Sequence, residues 1–361
     1  MRLLPSRGTD HARRATGVET TRVAVLVASK DGASTIGATV ASAVGQADVF
    51  VVSDGSRDRT GAVARAAGAH VIELTENVGK PAAIHHALTT LRLAERYDAI
   101  AILDDDTTIA PNFIRKAVER FREGVAIVVG RTMTRWPHEN RWNVWLGSRA
   151  YAYWRYQATL RRGQSALGVM NCISGSNSVF RSSVLAQIAI EQTPYIVDDT
   201  YWTLETHRRK LGRIVYAPDA HAWVCDPLTL RDWYRQNLRW IWGMYQGIAG
   251  HHVGRRVTRF DVASVLLMLD WCAYVFGMPI AIGLALWLGW FSLHLVLFYA
   301  IGYAAWTLLA AIATKKWRLA AMLPAIAVID VIYRVVFVHA LVKTIREPRV
   351  TSCRWVSPVR Y

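Results

Sequence analysis

The chain reads as an α/β fold with a mostly parallel nucleotide-binding sheet, followed by interfacial and transmembrane α-helices. Three observations predict this. Short apolar runs alternate with helix-period segments as far as Arg122. Two of those runs, VFVV and AIAIL, close on the carboxylates Asp54 and Asp104, and open α/β sheets bind their ligands beyond such strand ends. Charge then thins out, and residues 261–342 are almost wholly apolar.

Val23–Ala28 (VAVLVA) is a continuous apolar run and predicts a strand buried on both faces. Ser34–Val44 carries its apolar residues at helical spacing. Val49–Ser53 predicts a second strand, Asp58–Ala67 a second helix and Val71–Leu74 a short strand. Lys80–Ala94 predicts a helix, Ala99–Leu103 a strand, and Pro111–Arg122 a helix with proline in its first turn. Alternation with short connections implies parallel strands covered by helices on both faces. From Arg135 to Arg162, Trp, Tyr and Arg crowd together. The ordinary reading is a helix packing its aromatics on the sheet. The other is a surface facing membrane or sugar, since amphipathic aromatics suit both.

Residues 241–260 mix aromatic, basic and glycine residues, as an interfacial segment does. Three apolar runs follow: Val262–Leu288, Trp290–Thr314 and Trp317–Val342. A span needs about 20 apolar residues, and the uncharged middle run meets this most clearly. The first run is open to division at Gly277-Met278-Pro279 into a surface helix and a span. In the third, Asp330 and Arg334 stand four residues apart on one helical face; such a pair belongs against protein or a polar path. Lys315, Lys316 and Arg318, and the tail with Lys343, Arg346, Arg349, Arg354 and Arg360, call for the cytoplasmic side. Three full spans would put that tail outside. Either one run does not cross or one hides two crossings.

The net charge of +16 favours anionic partners. Nucleic acid is set aside, because no zinc spacing or helix-turn-helix pattern accompanies the charge. Cys172, Cys225, Cys272 and Cys353 are scattered and form no disulfide or zinc framework. Residues 1–22 form a basic arm, expected to be disordered, without the apolar core of a secretory signal.

Each polar constellation has a chemical and a plain reading. Asp104-Asp105-Asp106 follows a strand, where two carboxylates one residue apart can share Mg2+ or Mn2+ with phosphate oxygens; the plain reading is a cap cluster before the next helix. Asp54 can accept hydrogen bonds from a base or ribose, or simply shape a turn with Gly55. Lys80, at a helix start, can meet phosphate or stand in solvent. Asp198-Asp199 can hold a general base, because two close carboxylates push one pKa up, or cap a helix. Gln236, Arg239 and Trp240 lie on about one helical turn. Arg can clamp a diphosphate and Trp can carry a sugar ring; the plain reading is an interfacial anchor.

With these motifs in order, the chain resembles the membrane-bound family-2 glycosyltransferases, a group that includes the hyaluronan, chitin and cellulose synthases. The resemblance is carried by SKDG at 29–32, SDGSRDRT at 53–60, NVGKPAAIHHAL at 77–88, ILDDDT at 102–107, SGSNSVFRSSVL at 174–185, VDDT at 197–200 and QNLRW at 236–240. Where the family usually has Thr-Glu-Asp, this chain has Val197-Asp198-Asp199. The resemblance implies a GT-A fold and inversion at the anomeric carbon. It implies donor contacts from Asp31, Asp54, Lys80, Asp104, Asp106, Gln236, Arg239 and Trp240, with Asp104 and Asp106 on the metal. Asp199 would be the catalytic base. Gly175, Ser176, Asp198 and Trp240 would meet the acceptor.

The expected function is transfer from a UDP-sugar to a growing polysaccharide, with transfer of one sugar to a lipid as the alternative. The short membrane part favours the lipid acceptor or a homo-oligomer; the Asp330/Arg334 pair favours a path. The expected organisation is a catalytic domain at 23–240, cytoplasmic, an interfacial segment at 241–260, about two to four membrane helices at 261–342, and a basic tail at 343–361. The enzyme is expected to be integral to the cell membrane and in contact with its lipids.

Overall fold

The computed structural model describes residues 21–289 and 293–349. Most of the expected N-terminal arm, the end of the basic tail and Cys353 lie outside the described residues.

The strands are β1 (Val23–Ser29), β2 (Asp48–Asp54), β3 (His70–Leu74), β4 (Ala99–Asp104), β5 (Thr108–Ile109), β6 (Val125–Thr134), β7 (Asn177–Arg181) and β8 (Arg213–Val224). They form one sheet in the order β3-β2-β1-β4-β7-β6-β8-β5. β1 pairs in parallel with β2 and β4, and β2 with β3. β7 enters antiparallel between β4 and β6. The sheet is therefore mixed: a parallel half as expected, and a half in which β6 and β8 run parallel beside antiparallel neighbours.

The helices over the sheet are α1 (Ile36–Ala43), α2 (Thr60–Ala66), α3 (Lys80–Thr90) and α4 (Phe113–Val118). Successive strand residues point to opposite faces, and both faces are apolar. Ala24, Leu26, Ile100 and Ile102 pack with Ala83, Ile84 and Ala87 of α3. Val25, Val27, Ala101 and Leu103 pack with Ile36 and Val40 of α1 and Phe113 of α4 on the other face. Each buried Val, Leu or Ile among them contributes roughly 1.5–3 kcal/mol relative to exposure.

Strand order reverses between β1 and β4, so the loops beyond their carboxyl ends diverge and leave a crevice. Gly55 lets the loop after β2 close on its neighbour. Its φ is +60°, and a Cβ there would lie 2.5 Å from the Asn77 backbone nitrogen.

The Trp/Tyr-rich stretch forms α5 (Val144–Tyr156), capped by Asn143, whose carboxamide oxygen accepts from the Trp145 and Leu146 N–H groups. α5 packs against β6, while Ala150, Tyr151 and Trp154 pack against Ala310, Ala311 and Ile326 of the tail helices.

α6 (Asp198–Arg208) and the 21-residue α7 (Leu230–Gly250) follow. They approach closely at Gly243 and Gly247, where a Cβ would strike Val197 or Thr200 at 2.5 Å. Next come α8 (Arg259–Trp287), α9 (Leu293–Thr314) and α10 (Leu323–Arg346). α8 and α10 are long and apolar enough to cross a membrane. α8 does not divide at Gly277-Met278-Pro279 as the sequence allowed. A π-helical turn at Ala273–Gly277 carries the helix into Pro279, absorbing the missing N–H without a break. Its start is tied to α6 by Arg208, which donates to both oxygens of Asp261 at 2.8 Å.

Candidate active site

All of the sequence-predicted site residues line one cavity of about 1330 Å³. It opens beyond β1, β2 and β4 and continues between α5, α7, α8 and α10.

The first wall is the nucleotide side expected from the strand-end carboxylates. Asp54 is buried and its carboxylate is fully engaged: it accepts from Val78 N–H at 2.8 Å, Gly79 N–H at 2.9 Å and the Asn77 amide at 2.9 Å. It thus sets the loop that starts α3 and delivers Lys80. Asp31 sits at φ 51° and its carboxylate accepts from Arg57 N–H at 2.7 Å.

The three acids after β4 divide by role. Asp105 turns inward, where Ser29 donates to its carboxylate at 2.6 Å and Thr39 to its carbonyl at 3.0 Å. Asp104 and Asp106 are half-buried at the cavity. Among the described residues no group of three or more His, Cys, Asp or Glu could hold an ion by itself. Two carboxylates at a crevice still fit a divalent cation that arrives with phosphate ligands, since Mg2+ is commonly bound by one or two carboxylates plus substrate phosphates.

Lys80 is not a surface lysine. Its Nζ lies 2.6 Å from Asp104, 3.2 Å from the Gly175 carbonyl and 3.6 Å from Asp198. Burial opposes its charge, but Asp104 and Asp198 outweigh burial and push its pKa above the usual lysine range.

Asp198 and Asp199 form the first turn of α6. The Asp199 carboxylate accepts from Gly175 N–H at 3.2 Å and lies 3.7 Å from the Cys172 thiol. Burial, then the Asp198 charge, pushes Asp199 up to about 6, against the pull of Lys80, the Gly175 N–H and Arg239. A carboxyl near 6 can take a proton at neutral pH. Ser176 is buried behind Gly175, with its hydroxyl 3.0 Å from that of Ser174.

Gln236, Arg239 and Trp240 reach the same cavity from α7. Their surroundings include residues that sequence reasoning missed. Arg149 of α5 is buried; it donates to Gln236 Oε1 at 2.7 Å and to Asn237 Oδ1 at 3.1 Å, and its guanidinium lies 4.5 Å from the Trp240 ring centre. Asp226, after β8, lies 3.3 Å from Arg149 and accepts from the Tyr153 hydroxyl at 3.1 Å. Burial pushes Asp226 up to about 6, and Tyr153 well above its ordinary value. The sequence signal was the one-turn spacing of Arg149 and Tyr153 inside the aromatic stretch.

Beyond Trp240 the cavity wall passes to Trp271, Tyr274, Ile329, Asp330, Tyr333 and Phe337. The Arg334 guanidinium bonds Asp330 at 3.1 Å, and the Tyr274 hydroxyl donates to Asp330 at 2.8 Å. The i, i+4 pair thus faces protein and the cavity, as expected.

Residues 21–243 match the family described as glycosyltransferase like family 2. A 205-residue segment is 25% identical to a poly-beta-1,6-N-acetyl-D-glucosamine synthase of Staphylococcus aureus, covering 55% of this chain and 48% of that one. An N-acetylglucosaminyltransferase of Rhizobium meliloti is 29% identical over 211 residues, covering 54% and 48%. The chain thus spans about half the length of these curated relatives. Among solved structures, a mannosyltransferase of Pyrobaculum calidifontis, in complex with GDP-mannose and Mn2+, shares the fold. Its TM-score is 0.57 at 19% identity, covering 90% of this chain and 87% of that one. With the family match covering well over half the sequence, the chain belongs to the glycosyltransferase like family 2.

Proposed function

We propose that this enzyme is an inverting membrane glycosyltransferase that moves a sugar from a UDP-sugar onto a growing β-linked polysaccharide. The observation that carries the reading is the meeting of Asp104, Lys80, Asp199, Gln236, Arg239 and Trp240 in one cavity. Asp31 and Asp54 line the uridine pocket, a role the family resemblance supplies. Asp104 and Asp106 would hold a divalent cation, Mg2+ or Mn2+, which would supply charge neutralisation to the leaving diphosphate. Lys80 and Arg239 add positive charge there, and the Gln236 NH2 hydrogen-bonds the acceptor sugar as well as the donor. Trp240, with Gly175, Ser176 and Asp198, forms the acceptor side.

The acceptor hydroxyl gives its proton to Asp199 while its oxygen bonds to the anomeric carbon from the face opposite the diphosphate. The bond from that carbon to the diphosphate oxygen breaks, and UDP leaves with the electron pair. One displacement inverts the configuration.

The polymer reading draws support from the poly-N-acetylglucosamine synthase relative and from the length of the cavity beyond Trp240. A second reading, transfer of one sugar to a lipid, draws support from that same far wall. Trp271, Tyr274 and Ile329 belong to α8 and α10, where a bilayer-borne acceptor would enter. Purified full-length protein in lipid vesicles, given radiolabelled UDP-glucose, UDP-N-acetylglucosamine or GDP-mannose with Mn2+, separates them. Long products that resist lipid extraction are expected. A single extractable glycolipid would replace the polymer reading by the lipid one, and turnover of GDP-mannose alone would remove the uridine assignment.

We also propose the organisation: a cytoplasmic catalytic domain over 23–240, an interfacial stretch at 241–260, and a membrane part in which α8 and α9 cross as a hairpin. α10 then runs beside α7 in the same direction. Trp233 meets Tyr333, the Tyr234 hydroxyl meets His339 at 2.8 Å, and Trp242 and Gln246 donate to the Glu347 carbonyl at 3.2 and 3.0 Å. Held along α7 from Tyr333 onward, α10 follows that helix instead of leaving it for the bilayer. This returns Lys343 and Arg346 to the cytoplasmic side and meets the charge rule. In a cysteine-free background, Leu288→Cys should react with an impermeant thiol reagent from outside the cell. Arg346→Cys should react only after permeabilisation; labelling of Arg346→Cys in intact cells would reverse the assignment.

A further inference from the structure

Arg149 has no part in the chemistry above, yet it is the most connected side chain beside QNLRW. It is 5% exposed and joins three elements: its own helix α5, the QNLRW turn of α7, and Asp226 at the end of β8. A buried ion pair is a weak source of stability, because desolvation offsets the attraction. The geometry suggests another use.

A guanidinium has only donors. Arg149 donates to Gln236 and Asn237 at once, so both carboxamides must turn their oxygens toward it. The Asn237 amide nitrogen is correspondingly directed to the Trp233 carbonyl, at 2.6 Å. Gln236, which lines the cavity, is left to present its NH2 on the side away from Arg149. The same guanidinium covers one face of Trp240 at 4.5 Å and fixes the plane of the ring. Asp226, with the Tyr153 hydroxyl on it, holds the guanidinium in register and balances its charge.

We propose that Arg149 is the positioning residue of the acceptor site. It locks Gln236 as a hydrogen-bond donor and sets Trp240 as a platform for the acceptor sugar. The inference rests on the reading of QNLRW given above.

The test uses the full-length enzyme with UDP-N-acetylglucosamine, Mn2+ and a soluble β-linked N-acetylglucosamine oligosaccharide. It follows acceptor KM, kcat, the fraction of donor lost to water, UDP affinity by calorimetry, and Tm. Arg149→Lys keeps the charge beside Asp226 but not the two-pronged fork. It should raise acceptor KM about tenfold and increase donor hydrolysis, with UDP affinity and Tm close to wild type. Gln236→Glu keeps an oxygen to accept from Arg149 and replaces the donating NH2 with a second oxygen, so it should fold normally and show the same acceptor defect. If Trp240→Ala and Gln236→Ala raise acceptor KM while Arg149→Lys and Gln236→Glu do not, the positioning role is overturned and the site reading stands. If Trp240→Ala and Gln236→Ala also leave acceptor KM unchanged, the site reading falls and the inference with it. Loss of folding in Arg149→Lys leaves Gln236→Glu to decide.

Discussion

Asp199→Asn is expected to lower sugar transfer by about 10²–10⁴-fold, the usual contribution of a positioned base, while leaving UDP binding intact. The substitution is close to isosteric. Asn keeps an oxygen to accept the Gly175 N–H, so the loop that borders the acceptor side should hold its shape. What disappears is the ability to take the acceptor proton. The wild-type pH profile carries the same signature. Burial and Asp198 raise Asp199 to about 6, so the base is charged above that pH and protonated below it. The kcat/KM for transfer should fall about tenfold per pH unit below about 6 and level off above it. Substantial turnover in Asp199→Asn, with UDP affinity unchanged by calorimetry, would remove Asp199 from the role of base.

The parallel half of the sheet was readable because its causes are local. VAVLVA, DVFVVSD and AIAILD are apolar runs of strand length, and the helices between them keep their own period. The strand-end carboxylates were readable for the same reason. The other half was not. β7 lies inside SGSNSVFRSSVL and pairs antiparallel with β4, and β6 pairs with β8 across more than eighty residues. Neither pairing leaves a periodic trace, because a strand's partner is a tertiary choice.

The site divides along the same line. Asp104, Asp199 and QNLRW stand in short motifs, but motif identity did not reveal what each acid does. Asp105 looks equivalent to its neighbours in sequence and becomes structural only through Ser29 and Thr39. Asp54 reads as a ligand contact and is engaged on both oxygens by the loop before Lys80. Arg149 lies 87 residues from Gln236, in a stretch where aromatic residues dominated the reading. Its partners exist only once α5 and α7 face each other.

Lys80→Met should reduce transfer about 10²-fold or more, as loss of a preorganised charge at a phosphate site does, and should also move the acid limb of the pH profile upward. Lys80 lies between Asp104 and Asp198 and lowers the pKa of Asp199. Removing it leaves burial and Asp198 unopposed from that side, so Asp199 stays protonated to a higher pH. Asp198→Asn has the opposite sign. It deletes the like charge that raises Asp199 and keeps an oxygen to accept the Asp199 N–H, so its limb should move to lower pH. Each unit of movement corresponds to about 1.4 kcal/mol of altered interaction. General destabilisation would lower activity in both variants without separating the limbs, and loss of the cation site alone would change Mn2+ affinity without moving either. Profiles of kcat/KM against pH that shift in opposite directions for the two variants therefore attribute the raised pKa to the charge triad of Lys80, Asp198 and Asp199. Limbs that coincide with wild type would mean that burial alone holds Asp199 near neutrality.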